Sequence, residues 1–350
     1  MKVPSEQIAI REIAARLAQL LGVDQSKIRV ETGRTAPQID GIIVAGPFTF
    51  VVEWKGSGLT AQVASAIEQV QRYAAEIDGA VPLVAVPFMG STGRERCAAA
   101  DVAWLDLSGN ARIFAPGLCI LVEGKPNRFK RPGRPSSAFA PKSSRITRWL
   151  LMHTHESLTQ REIARFTGTD EGYTSKIVSK LEQDGLIVKA KSGGIKPRDP
   201  DLLLDAWRED YDFTKHHIIR GHVAARSGDI LLRQLSDALE KTSVEFAATG
   251  LAAAWLLDHF AGFRTTTLYL TNDPSPALLD AISFREEERG ANVWLVVPND
   301  EGVFHGASDV EGIRCVHPVQ VYLDLEAHPE RADEAATRLR TAHLNWRTDA

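Results

Sequence analysis

The sequence predicts a multidomain α/β protein with a helix-turn-helix between two α/β segments. Three observations predict it. Residues 39–55, IDGIIVAGPFTFVVEWK, form two β-branched and aromatic runs around Gly46-Pro47. Residues 143–196 give short amphipathic helices, a break near Gly168, and a β-like tail around Gly193-Gly194. Beyond residue 205, strand-like runs (TTTLYLT, ANVWLVVP) alternate with helical ones. With 350 residues, several cores fit, and the boundaries read as 1–124, 125–142 (a linker), 143–204 and 205–350.

Composition excludes several classes. Hydrophobic residues at 44% and charged residues at 25% are ordinary for a soluble protein. The three cysteines, Cys97, Cys119 and Cys315, are far apart and form no zinc pattern, so free thiols in a reducing compartment are expected. No signal-peptide core and no long apolar run is seen, so a cytoplasmic protein that does not enter the membrane is expected.

The first helix spans 5–22, with Ile8, Ile13, Leu17, Leu20 and Leu21 near one face. Strands follow at 39–45 and 48–55, joined by a Gly-Pro turn of type II′. That turn fixes the register and places Asp40 opposite Glu53, side chains on one face. Lys55, two residues on, projects to the same face. Two carboxylates beside an ammonium suit a hard divalent cation, Mg²⁺ or Mn²⁺, with Asp40 and Glu53 as ligands. Such a site would support phosphodiester hydrolysis. The plainer reading is an ion pair at a strand edge. Residues 81–88 read as the next buried strand. The strands VAWLDL and ARIFA then flank Ser108-Gly109-Asn110, where Asp106 and Asn110 close a turn.

Asp40, a dozen residues and then Glu53-x-Lys55 resembles the PD-(D/E)xK nuclease superfamily. The resemblance implies a restriction-endonuclease-like fold with Asp40, Glu53 and Lys55 as site residues. Gln69-x-x-x-Tyr73 on the following helix resembles the supporting motif of RecB-like members. Glu12 lies where many such nucleases carry another acid. Pro is missing before Asp40, a departure from the pattern.

Residues 123–145 hold seven basic residues, Arg131 and Arg134 among them, against one acidic residue. Four prolines exclude a long helix, leaving a solvated linker or a strap along DNA phosphates. The run RPGRP resembles the minor-groove AT-hook, with Pro132 where that motif has Arg.

In the middle segment, Ile146, Trp149 and Leu150 point inward and Thr159 with Glu162 forms a capping box. The second helix has Tyr173, Ile177, Val178 and Leu181 on its inner side. The pattern resembles the winged-helix family of bacterial regulators. That resemblance implies double-stranded DNA as partner, read by Tyr173, Thr174, Ser175 and Lys176. Lys180, Lys189 and Lys191 would then lie on phosphates.

The last segment, with its Thr249-Gly250 turn opening a helix, resembles the C-terminal domain of AbiEi-type antitoxins of type IV toxin–antitoxin systems. That implies a nucleotidyltransferase-like fold, but Thr265, Thr266 and Thr267 replace the metal-binding carboxylates, so nucleotidyl transfer is not expected. His216, His217 and His222 read as surface or linker histidines. Two functions compete: a Mg²⁺-dependent endonuclease targeted by the winged helix, or a non-enzymatic antitoxin and repressor. The second implies a cognate toxin, and a homodimer is expected in either case.

Overall fold

A computed structural model describes residues 1–31, 39–129, 138–191, 193–242, 244–260 and 262–346. Arg131, Arg134 and the RPGRP run lie outside the described residues. The chain divides into two compact units. The first is Met1–Pro135 with Asp184–Leu186; the second is Ser136–Gln183 with Ile187–Ala350.

The first unit runs α1 (Glu6–Leu21), β1 (Arg29–Glu31), β2 (Gly41–Ala45), β3 (Phe48–Trp54), α2 (Thr60–Ala74), β4 (Ala80–Val86), α3 (Ser91–Ala99), β5 (Ala103–Asp106), β6 (Ala111–Ala115) and β7 (Leu118–Val122). The seven strands form one sheet in chain order. β3, β4 and β5 pair in parallel and the other neighbours are antiparallel. α1 buries Ala9, Ile10, Ile13 and Leu17 against Phe50, Val52, Leu83 and Leu105. α2 buries Val63, Ala66 and Val70 on the other face, against Val84, Val86 and Trp104. Ile8, expected inward, is half exposed; Ala9 and Ile10 take its place. The turn behaves as read: Gly46 has φ 61°, and Gly41 pairs with Val52 and Ala45 with Phe48.

Asp106 is fully buried and closes the turn after β5, accepting from the backbone N–H groups of Gly109 and Asn110 at 2.8 and 2.9 Å. Asn110 also exchanges hydrogen bonds with the Lys125 backbone, and the Ser108 hydroxyl accepts from Arg128 N–H. The start of the basic stretch is therefore pinned to its own unit.

The second unit begins with α4 (Pro141–Met152), α5 (Gln160–Thr167), α6 (Glu171–Gln183) and the hairpin β8 (Ile187–Lys189) and β9 (Ile195–Pro197). It continues through α7 (Pro200–Asp210), β10 (His217–His222), α8 (Gly228–Glu240), β11 (Phe246–Thr249), α9 (Gly250–Asp258), β12 (Thr266–Leu270), α10 (Pro276–Ala281), β13 (Arg285–Glu286), β14 (Val293–Val297), β15 (Ser308–Val310), β16 (Ile313–Cys315), α11 (Pro318–Leu325) and α12 (Ala332–His343). Its seven-stranded mixed sheet has the order β13-β10-β14-β12-β11-β16-β15. Arg145, which the sequence places with the basic stretch, stands inside α4. Among the described residues, no helix is long and apolar enough to cross a membrane.

Candidate functional site

In the first unit, the hairpin, β3 and α2 bring three of the expected residues together. Lys55 Nζ donates to Glu53 Oε1 at 2.7 Å and to Gln69 Oε1 at 2.8 Å. Gln69 reaches Lys55 because α2 covers the face to which Glu53 and Lys55 point. Asp40 Oδ2 accepts from the Trp54 backbone N–H at 2.8 Å. Glu53 is 3% exposed, and its Oε2 is buried without a hydrogen-bond partner. Burial raises the pKa of both carboxyls, against the lowering effects of the Trp54 N–H on Asp40 and of Lys55 on Glu53. These are carboxylates short of positive charge, and the orphaned oxygen fits a hard cation held by Asp40 and Glu53. Among the described residues, no group of three or more His, Cys, Asp or Glu side chains forms a fuller metal cage. Tyr73 follows one turn beyond Gln69 on α2, half-buried. Glu12 is an exposed residue of α1, which packs on the opposite face of the sheet from Glu53.

In the second unit, the capping box at the start of α5 is present, Thr159 and Glu162 each accepting from the other's backbone N–H. Leu158 bridges to Ile195 and ties the start of α5 to the wing. α6 presents Lys176 to solvent, with Ser175 half-buried beside it. Thr174, expected at a base edge, does not face solvent. It is fully buried, its hydroxyl 2.7 Å from that of Thr169 and donating to the Asp170 carbonyl at 2.9 Å. Residues 174, 177, 178 and 181 form the inner stripe, so Thr174 takes the inner place that the sequence assigns to Tyr173. Tyr173 is half-buried, its hydroxyl 2.8 Å from that of Ser143, with the Lys142 ammonium 5.3 Å from its ring centre. Lys180 is half-buried, and Lys191 and Lys196 are exposed. Lys189 pairs with Glu182 at 2.7 Å. Trp149 is only half-buried and stacks on Phe166 at 4.8 Å. Arg161, not among the residues expected on phosphates, extends from α5 with 89% of its side chain exposed, 3.7 Å from Glu171; its signal is its place two residues after the capping threonine.

The sheet of this unit carries a buried polar cluster around Asp324. Asp324 accepts from the hydroxyls of Tyr211 and Thr249, both at 2.5 Å, from Tyr269 at 3.1 Å and from Gln320 Nε2 at 2.7 Å. Burial pushes its pKa up to about 6. Beside the Thr249-Gly250 turn, a Cβ on Gly250 would meet the His328 ring at 2.3 Å, and His328 Nε2 lies 2.8 Å from the Thr267 hydroxyl. The place is filled with side chains. His216 is buried, 2.9 Å from the Tyr211 hydroxyl, whereas His217 and His222 are exposed.

Three helices, a two-stranded wing and a capping box define a winged helix. Residues 148–194 match the model of the MarR family. Residues 197–344 match the family described as transcriptional regulator, AbiEi antitoxin, type IV toxin–antitoxin system. No curated protein and no solved structure gives a significant match. The chain therefore carries a MarR-like winged helix followed directly by an AbiEi-like segment.

Proposed function

We propose that this protein is a DNA-binding transcriptional regulator of a toxin–antitoxin system, acting on duplex DNA through α6 and the wing. The observation that carries this reading is the winged helix, with Lys176, Lys191 and Lys196 exposed on it, joined to an AbiEi-like segment. Ser175 and Lys176 face the base edges, with Tyr173 at the rim, and Arg161, Lys180, Lys189, Lys191 and Lys196 lie along the phosphates. A homodimer would meet two half-sites, and a cognate toxin is the protein partner this reading implies. The test is fluorescence anisotropy with the duplex upstream of its own coding sequence. Affinity well above that for scrambled duplex is expected, falling with salt as counterions are released; equal affinity for both overturns the reading.

A second reading is favoured by the contact of Lys55 with both Glu53 and Gln69. Here the first unit is a PD-(D/E)xK-like nuclease. Mg²⁺ or Mn²⁺ held by Asp40 and Glu53 would supply charge stabilisation and a more acidic water. Gln69 holds the Lys55 ammonium beside that position, where it stabilises charge on a phosphodiester. Supercoiled plasmid should be nicked by the native chain with Mg²⁺ or Mn²⁺ and not by Glu53→Gln. Equal cleavage by both, or by neither, removes this reading and leaves the regulator.

A further inference from the structure

α4 has two faces that belong to different neighbours. One buries Ile146 and Leu150 in the winged helix, and its Ser143 hydroxyl meets that of Tyr173 on α6. The other carries Arg145 and Arg148, one turn apart, into the sheet domain that follows. Arg145 makes a two-pronged pair with Asp300, Nε to Oδ1 at 2.7 Å and Nη2 to Oδ2 at 2.8 Å. The same guanidinium lies 3.2 Å from Glu301 and donates to the Thr167 carbonyl at the end of α5 at 3.5 Å. Gly302 is needed for this approach, because a Cβ there would meet Arg145 Cγ and Asp300 Oδ1, each at 2.6 Å.

Arg148 is 2% exposed, with its guanidinium 5.0 Å from the Trp207 ring centre. Nη2 donates to Gln320 Oε1 at 2.5 Å, and Gln320 Nε2 passes the contact on to Asp324 at 2.7 Å. Nε and Nη1 have no hydrogen-bond partner. A buried cation so sparsely bonded depends on the few groups that face it, and losing its Gln320 contact would leave it without a hydrogen-bond partner at any of its buried nitrogens.

We propose that α4 is a transmission element: the Arg145–Asp300 and Arg148–Gln320–Asp324 links fix the pose of α6, so the state of the C-terminal sheet domain sets DNA affinity. The DNA half of this statement rests on the regulator reading above.

The test uses the full chain with Asp324→Asn, Asp300→Asn and Gly302→Ala, none of which alters a residue of the winged helix. Hydrogen exchange is followed in α4, α6 and α12, and anisotropy uses the duplex upstream of the coding sequence. Exchange in α4 and α6 should rise roughly tenfold while α12 stays protected, and affinity should change by about fivefold or more. Unchanged exchange in α4 and α6 overturns the proposal, and so does faster exchange with unchanged affinity. If Asp324→Asn does not fold, Asp300→Asn at the less buried rim decides. A native chain that binds no duplex overturns the DNA reading; exchange then decides the mechanical link alone.

Discussion

Thr174 and Lys176 stand two residues apart on α6 and do opposite work. The Thr174 hydroxyl belongs to a buried relay with Thr169 and Thr167, whereas Lys176 faces solvent. Thr174→Val should lower stability by about 1–2 kcal/mol and leave the DNA sequence preference intact, since it strands buried partners. Lys176→Ala should leave the melting temperature unchanged, weaken duplex binding and reduce the salt slope by about one. Thermal denaturation and anisotropy on both variants separate the two roles. In the first unit, Lys55→Met should cost about 1–3 kcal/mol in urea unfolding, because Glu53 is left buried without its cation. Adding Glu53→Gln should then restore part of the loss, a non-additivity expected of contacting residues. The shared face of Glu53 and Lys55 was legible in the sequence because side chains alternate along a strand, and the hairpin register because a two-residue turn sets it locally. Arg148 was not, because an arginine in a helical run reads as solvent-facing until the partner domain that buries it is known.

At the scale of elements, legibility followed periodicity. The hairpin, α5, α6 and β12 carry strong local patterns and appear where expected. β1, α3 and β7 do not: Arg29–Glu31 is too short, and STGRERCAA has no apolar stripe. β7, Leu118–Val122, is a continuous apolar run with Cys119 and Leu121 exposed, so alternation could not reveal its faces. The turn before β3 offers the cleanest test of an element. Gly46 holds φ at 61°, and an added Cβ would find only Val23 Cγ2 at 3.5 Å, an ordinary contact. Gly46→Ala should therefore cost about 1 kcal/mol through backbone strain alone. Urea unfolding reads the loss, and an NMR amide map should show the Gly41–Val52 pairing kept; a shifted register would contradict the turn's role.

Across the second unit, buried ionisable groups of opposite tendency fix how acid acts. His216, His317 and His328 are each pushed down to about 4 from 6.5, mainly by burial, with the nearby Arg148 adding to the effect at His216 and His317. The unfolded chain takes up these protons near pH 6.5, and the native chain refuses them until about pH 4. Their stabilising contribution is whole above pH 6.5 and is lost as pH falls towards 4. Asp324 runs the other way: its native pKa of about 6 lies above the ordinary 3.8, so the native chain holds a proton that the unfolded chain releases. It opposes the loss as pH falls from about 6 to about 4. Three histidines outweigh one carboxyl, so unfolding free energy should fall on acidification by an amount on the order of a few kcal/mol. Asp324→Asn removes the opposing slope, so the fall should become steeper than in the native chain. His328→Gln removes one of the three driving protons, so its fall should become shallower. Urea unfolding of the three chains at pH values between roughly 7 and 5 measures all three slopes. Equal slopes in all three would show that the buried cluster does not carry the acid response of this unit.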